Sequence, residues 1–516
     1  MTRPMLSTPV WNVYRKSAQK YYQQSFPSFS KMIENEKREA GQMILVADYQ
    51  SQRLPNVTHD GMERLLDVQI GKMYPYRLNS NHFCLICLKD HRDIFRMKVN
   101  NSVKLTRFLT VDPVKVKQFI TDSNHRTVFE NIIQKRLVWR SLLDNPQDFD
   151  SENYVNSLLN SVLVNELESK LRFFLMVQLE QILSRIFSTK MDLLPFGSSV
   201  NGFGWKSSDL DLTLLPRESV ESNLNQDEQN FDFDGPMPKS EKLKLNFSIN
   251  PREEARRILK VVYHSIEKNH PGVRGVIPIL NARVPIVKFH SIHTSLDCDL
   301  AFHLDSHISG TDIANALYAY SKMDDRVIKL MVITKIWAEI QELTRKKAPG
   351  PYLTNFSLMM LVIHFLQIRE PRRILPSISS LNLFINEKCH DETNHPSPET
   401  PEVIAIRDSD ADHDDSTSFV QLLTEFFHHL STFNFDLYGC DVIEGCVTHK
   451  PCNDPIYIKN PLQCELNVSK NISSNEKFRI KFVADYSYKL LSQGGHVREI
   501  FRPVSKKDLS VKEFID

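Results

Sequence analysis

The sequence predicts an α+β fold, and three observations predict it. A small unit of alternating strands and helices is legible over residues 42–110. Strands that alternate with period two and carry acidic residues follow at 209–214 and 284–302. Helical periodicity frames them, over 128–190 and again from 311 to 369.

The early unit opens on Met43-Ile44-Leu45-Val46-Ala47, a strand. Thr58-His59-Asp60 supplies an N-cap for a helix starting at Met62. His82 to Leu88 is an unbroken apolar run and reads as a buried strand, and Asp90 to Val99 can form a second helix. The order β-α-β-β-α resembles an RNA-recognition-like domain without its aromatic-rich RNA-reading motif. Cys84, Cys87 and His91 have the spacing of a zinc half-site. Residues three apart in a strand point to opposite faces, so these are read as core cysteines.

Leu158, Leu159, Val162 and Leu163, then Leu171, Phe174 and Leu175, mark the apolar stripe of the first long helical stretch. A short strand, Leu193 to Phe196, follows. Residues 216–250 are polar and acidic and read as a loop. Pro251 suits a first helical position, and the helix runs to about Asn269 with Ala255, Ile258, Leu259, Val262 and Ile266 on its buried face. Helices are expected over 311–345, 352–369 and 418–435, with a loop-plus-helix tail over 454–482. Residues 389–417 are rich in Asp, Glu, His, Pro and Ser and are expected to be disordered.

The 516 residues suggest roughly three domains. Lys plus Arg number 64 against 63 for Asp plus Glu, which excludes a globally basic nucleic-acid binder and leaves only local basic patches. No apolar run approaches the ~18 residues that cross a bilayer. The eight cysteines are scattered and are read as reduced. The first 33 residues carry Arg3, Arg15, Lys16, Lys20 and Lys31 and no acid before Glu34, the composition of a mitochondrial transit peptide, with a disordered basic tail as the alternative.

The chemistry is concentrated in one constellation. Phe196-Gly197-Ser198-Ser199-Val200-Asn201-Gly202-Phe203-Gly204 is rich in small residues, and Asp209-Leu210-Asp211-Leu212 follows it. Period two puts Asp209 and Asp211 on one face, about 7 Å apart along the strand, with Leu210, Leu212 and Leu214 on the other. Two such carboxylates repel unless a divalent cation sits between them. Gly197 lets backbone approach a phosphate, and Ser198 adds a donor. A third acid comes from Leu296-Asp297-Cys298-Asp299-Leu300, where Asp297 and Asp299 share a face and either can serve.

Gly-Ser, Asp-Leu-Asp-Leu, Asn281-Ala282-Arg283-Val284-Pro285-Ile286-Val287-Lys288-Phe289 and Cys298-Asp299-Leu300 together resemble the template-independent RNA nucleotidyltransferases. This is the polymerase-β-superfamily group of cytoplasmic and mitochondrial poly(A) and poly(U) polymerases. Thr354-Asn355-Phe356-Ser357-Leu358 and Tyr457-Ile458-Lys459-Asn460-Pro461 extend the likeness, which runs from about residue 28 to 475.

The resemblance implies a polymerase-β-type nucleotidyltransferase palm over 150–305 and a helical PAP-associated domain over 306–488, with a tail over 489–516. Before them it implies a targeting leader over 1–35 and an RNA-recognition-like α/β domain over 40–125 that serves dimerisation. It selects Asp299 over Asp297 as third ligand to magnesium or manganese. It also implies addition of adenylates from ATP to the 3′ end of mitochondrial RNA in the matrix, with Lys335 on the triphosphate, Phe356 stacked on the base and Asn355 on the ribose or phosphate.

Val468 stands where uridylate-adding relatives carry histidine, which favours ATP over UTP. Two departures are Glu339, where relatives often have a second basic residue, and His303-Leu304, where they have paired asparagines. Arg345-Lys346-Lys347, Arg372-Arg373 and Lys477, Arg479 and Lys481 are candidates for RNA phosphate contacts. The alternatives are a cytoplasmic RNA uridylyltransferase and a catalytically inactive RNA-binding scaffold.

Overall fold

The computed structural model describes residues 28–48, 54–96, 107–110, 129–144, 150–217, 242–304, 310–344, 350–381 and 417–504. The basic leader, the acidic insertion at 389–416 and Arg345-Lys346-Lys347 lie outside the described residues. The chain divides into two compact units, one of residues 27–140 and 161–314, the other including 141–160 and 315–516.

In the first unit, Ser28 caps helix α1 (Phe29–Ala40), whose Gly41 leads directly into β1 (Met43–Asp48). Thr58 caps α2 (His59–Leu66), and β2 (Ile70–Leu78) and β3 (Asn81–Leu88) form a hairpin. The helix expected from Asp90 is described only as α3 (Asp93–Arg96), the residues after it being outside the description. Strands β4 (Phe108–Thr110) and β5 (Glu130–Asn131) complete a sheet of order β4-β1-β3-β2-β5.

Both faces of that sheet are buried. Ile44, Val46, Cys84, Ile86 and Leu88 pack in one cluster with Met62 of α2. Met43, Leu45, Tyr76, Phe83, Leu85 and Cys87 pack in another with Leu171 and Phe174. Cys84 and Cys87 therefore lie on opposite faces, so they cannot share one ion. Tyr76 and Phe83 stack at 5.3 Å, and the Tyr76 hydroxyl donates to the His293 carbonyl at 2.8 Å. These aromatics are core residues, closed off from a nucleic-acid base.

The helical stretch expected over 128–190 is three helices: α4 (Ile132–Asp144), α5 (Ser151–Val162) and α6 (Glu166–Leu183). Asn165 caps α6, and every residue from Lys170 to Leu179 is buried. A helix buried all round must have packing partners on every side. Its partners are the first sheet and α1 on one side, β6 (Met191–Phe196) and helix α7 (Pro251–Asn269) on the other. Asn250 caps α7, with Pro251 at its first position as the sequence predicts.

The second sheet has the order β6-β7-β10-β9-β8, with β7 (Leu210–Pro216), β8 (Val273–Ile279), β9 (Ile286–Ser291) and β10 (Leu296–Phe302). Only β7 and β10 are parallel; the other pairings are antiparallel. The sequence reading contains no counterpart of β8, which Gly275 and Pro278 disguise.

In the second unit the helix expected over 311–345 is broken. Asp324 leaves the helical conformation (φ −154°) and accepts from the Arg326 N–H, ending α8 (Gly310–Met323) and capping α9 (Asp325–Ile340). Thr354 caps α10 (Asn355–Ile368), and α11 (Phe419–Thr432) packs along α12 (Ser474–Ser492). Trp337 of α9 is fully buried, packs on Phe427 and donates to Ser487 Oγ at 2.9 Å. A hairpin of β11 (Tyr438–Asp441) and β12 (Cys446–His449) sits between the last two helices in sequence. Six described cysteines are free thiols, but Cys464 is disulfide-bonded, a departure from the all-reduced expectation. Pairing of scattered cysteines is not deducible from spacing. Among the described residues no helix is long and apolar enough to cross a membrane.

Candidate active site

The site is built where β6 gives way to β7. The chain leaves β6 at Phe196 and turns through Gly197–Ser199. Gly197 has φ +65°, in the left-handed region that favours glycine. A Cβ at Gly197 would also lie 2.7 Å from Asp211 Oδ2. The backbone thus presses directly against a carboxylate. Gly197 O accepts from the Asn201 N–H at 3.2 Å, and Ser199 Oγ donates to the Asp209 carbonyl at 3.1 Å. Further along, a Cβ at Gly204 would stand 2.0 Å from the Ser198 carbonyl, so the loop folds back on Ser198.

Strand β7 starts at Leu210, with Asp209 just before it. Leu210, Leu212 and Leu214 are buried, Asp211 is half-buried and Asp209 is exposed. Alternation thus gives an apolar face toward the core and an acidic face away from it. On β10, Asp299 is the register partner of Asp211. Its other neighbour is Lys288 on β9, whose ammonium lies 2.7 Å from Asp299 Oδ1 and donates to Oδ2 at 2.9 Å. Asp299 Oδ1 is buried and has no aligned hydrogen bond. Asp297 is exposed and tied to His290 Nδ1 at 2.8 Å.

Burial pushes the Asp211 carboxyl up to about 7, with the charges of Asp299 and Asp209 adding to the effect and Lys288 opposing it. Among the described groups acting on Asp211, the carboxylates of Asp299 and Asp209 outweigh the Lys288 ammonium. Asp299 Oδ1 is buried and meets Lys288 only as an unaligned ion pair. Hard oxygen donors with an unmet charge suit magnesium or manganese, so these residues fit a divalent cation. Lys288 is a site residue that the sequence reading missed as such. The available signal was its place on a period-two strand facing an acidic one.

The other expected nucleotide contacts belong to the second unit. Lys335 is half-buried in the middle of α9, Asn355 is exposed at the first position of α10, and Phe356 is half-buried next to it. Ser357 Oγ donates to the Val468 carbonyl at 3.1 Å, which ties the loop at 466–469 to the start of α10. Asn467 Oδ1 accepts from the backbone of Ile458 and Ser469 and fixes the same loop.

Three of the basic residues expected to meet RNA are committed elsewhere. Lys477 is buried and paired with Asp436 at 2.6 Å. Arg479 is held by Glu476 and the Gln341 carbonyl, and Lys481 donates to the Phe433 carbonyl at 2.9 Å. Buried or backbone-bonded cations of this kind serve packing.

Residues 152–322 match the family described as the central palm domain of mitochondrial-like poly(A) RNA polymerase. The chain is 32 % identical over 346 residues to "Poly(A) RNA polymerase, mitochondrial" of Homo sapiens, covering 66 % of this chain and 56 % of that protein. The namesake of Drosophila melanogaster is 33 % identical over 337 residues, covering 64 % and 52 %. The chain thus spans about half the length of the curated relatives it matches. Among solved structures, mtPAP in apo form superposes with a TM-score of 0.70 at 22 % identity, covering 93 % of this chain and 100 % of that one. The complex of mtPAP with ATPgammaS gives 0.69 at 21 %, with the same coverage. Together with the family match over 152–322, this likeness shows the fold: α+β, with a palm of the polymerase-β nucleotidyltransferase type.

Proposed function

We propose that the chain adds adenylates from ATP to the 3′ end of RNA, without a template, and releases pyrophosphate. The observation that carries this reading is the cluster of Asp209, Asp211 and Asp299 beside the Gly197 turn, on a palm of the poly(A) polymerase type.

In this reading the three aspartates would hold two magnesium or manganese ions, which would acidify the RNA 3′-hydroxyl and neutralise the triphosphate. Asp299 takes the proton as the 3′-oxygen bonds to the α-phosphorus and the bond to the β-phosphate oxygen breaks. Backbone N–H groups of the Gly197-Ser198 turn, with the Ser198 hydroxyl, cradle the phosphates. Lys335 balances triphosphate charge, Asn355 holds the ribose or phosphate, and Phe356 stacks on the base. Phosphoryl transfer of this kind is mostly positioning and charge stabilisation.

The reading extends to place. The closely related proteins are named mitochondrial, and the first 33 residues are basic and acid-free, so the site of action is the mitochondrial matrix and the substrate mitochondrial RNA. Two copies associate through the N-terminal domain, which a molar-mass measurement in solution tests.

The deciding experiment is extension of an oligo(A) primer with magnesium, supplying each of the four nucleoside triphosphates separately. Preferential use of ATP, abolished in Asp209→Ala and Asp211→Ala, is the expected result. Preference for UTP overturns the base assignment, and full activity of either variant overturns the metal assignment.

A further inference from the structure

The two strands that carry the acids begin in loops joined to each other by a single buried carboxylate. Glu168, near the start of α6, is 2 % exposed. It accepts from Arg136 Nε at 2.9 Å through Oε1 and from Arg136 Nη2 at 2.8 Å through Oε2. Oε2 also accepts from Arg172 Nη1 at 2.9 Å, one helical turn along α6. The other hydrogen bonds of both arginines go to backbone carbonyls, while Arg172 Nε is buried without a partner. Arg172 Nη2 reaches the carbonyls of Lys206 at 3.1 Å and Ser208 at 3.0 Å, the latter immediately before Asp209. Arg136 reaches the carbonyls of Thr294, at 3.1 Å, and Ser295, immediately before β10. Ser295 itself is left-handed, with φ +52°, a conformation uncommon for a non-glycine residue.

A buried ion triad is weak evidence for stability, because apolar residues of the same volume often serve as well or better. The direction of its bonds is more informative. A planar guanidinium offers five donors in a fixed fork, and here the forks grip the entrances of β7 and β10. Those strands run parallel, so both are entered from the same end of the sheet. Sliding either entrance would shift Asp211 against Asp299, and Asp209 with it.

We propose that Glu168, acting through Arg136 and Arg172, is the positioning residue that sets the spacing of the three aspartates, an inference that rests on their role as metal ligands. The three residues touch neither substrate nor reacting atoms. They determine how well the carboxylates converge on a cation.

The test uses the full chain and Mn2+ alone as probe, with binding followed by electron paramagnetic resonance. Arg172→Lys and Arg136→Lys each keep a charge but lose the fork, and Glu168→Gln removes the shared acceptor. The expected result is Mn2+ affinity weakened roughly 10-fold or more, as for other groups that orient metal ligands. The primer-extension kcat falls in parallel while KM for ATP changes by less than about twofold, the pattern of an interaction made in the transition state. Amide hydrogen exchange in metal-free Arg172→Lys speeds up at 205–211 and not across α7. If Glu168→Gln does not fold, the two lysine variants still decide. Folded variants with wild-type Mn2+ affinity and kcat but a lower melting temperature overturn the inference and leave the triad as structural. Wild-type protein that binds no Mn2+ overturns the site reading, and this inference with it.

Discussion

Asp211 and Asp299 stand opposite each other on parallel strands, with Lys288 beside Asp299 as the counter-charge. Burial, with the charges of Asp299 and Asp209 adding to it and Lys288 opposing, raises the Asp211 carboxyl to about 7, above its ordinary 3.8. The folded state therefore holds a proton that the unfolded state releases. Its contribution to stability is full below about 4 and is lost as pH rises through about 7. Relative to Asp211→Asn, metal-free wild type should lose stability across that window by on the order of 1–3 kcal/mol. Urea denaturation in chelator at pH 5 and pH 8 measures the difference. The same variant should be inactive in primer extension, and magnesium should stabilise wild type at pH 8 but not the variant.

Gly197→Ala should fold and fail. The added methyl meets Asp211 Oδ2 at 2.7 Å in a backbone conformation that alanine disfavours. The carboxylate must move, and displacement of a catalytic group by about 1 Å reduces turnover about 10²-fold. Circular dichroism should be unchanged while kcat falls by that order.

Phe356 and Lys335 should separate by kinetics. Phe356→Ala should raise KM for ATP by about 10-fold, since stacking on a base contributes roughly 1–3 kcal/mol. Phe356→Tyr should retain most of the affinity. Lys335→Ala should lower kcat/KM for the triphosphate and leave primer binding unchanged. Steady-state extension with varied ATP, and primer binding by fluorescence anisotropy, distinguish these outcomes.

Acid should act through buried histidines in the opposite sense to Asp211. Burial pushes His270 and His364 down to about 4, from an ordinary 6.5. Each is neutral when folded, so its contribution is full above about 6.5 and is lost as pH falls toward about 4. Between pH 6.5 and 5 the loss should be roughly 1–2 kcal/mol per histidine. His364 Nε2 lies 2.9 Å from the Cys446 carbonyl, so His364→Gln can keep a donor there without a titrating ring. Measured in Asp211→Asn protein, where the opposing contribution is gone, this substitution should flatten the acid limb of the denaturation midpoint.

Local patterns were readable and distant ones were not. Alternation at Asp209 to Leu214 and the Asn250-Pro251 helix start depend on neighbours in the chain, and the structure has both. The choice between Asp299 and Asp297 depends on which strand pairs with which, and no spacing states that. The break at Asp324 had a readable signal, a capping acid inside an otherwise helical run, but continuous apolar periodicity hid it. Lys477 and Lys481 read as RNA-facing cations because lysine is usually at the surface, whereas Asp436 and the Phe433 carbonyl claim them in three dimensions. Glu168 and Arg136 stand 32 residues apart, and nothing short of the fold joins them to Ser208 and Ser295.

The burial of both faces of the N-terminal sheet bears on how the chain can be taken apart. Leu171 and Phe174 of α6 share a cluster with Leu45, Tyr76 and Leu85. Trimming the polypeptide back to its palm would strip that helix of half its coat and present greasy side chains to solvent. A shortened protein that precipitates or loses activity would report this uncovering and would say nothing about whether the missing segment recognises RNA. Point changes on the sheet's rim, leaving the interior intact, are the way to ask that question.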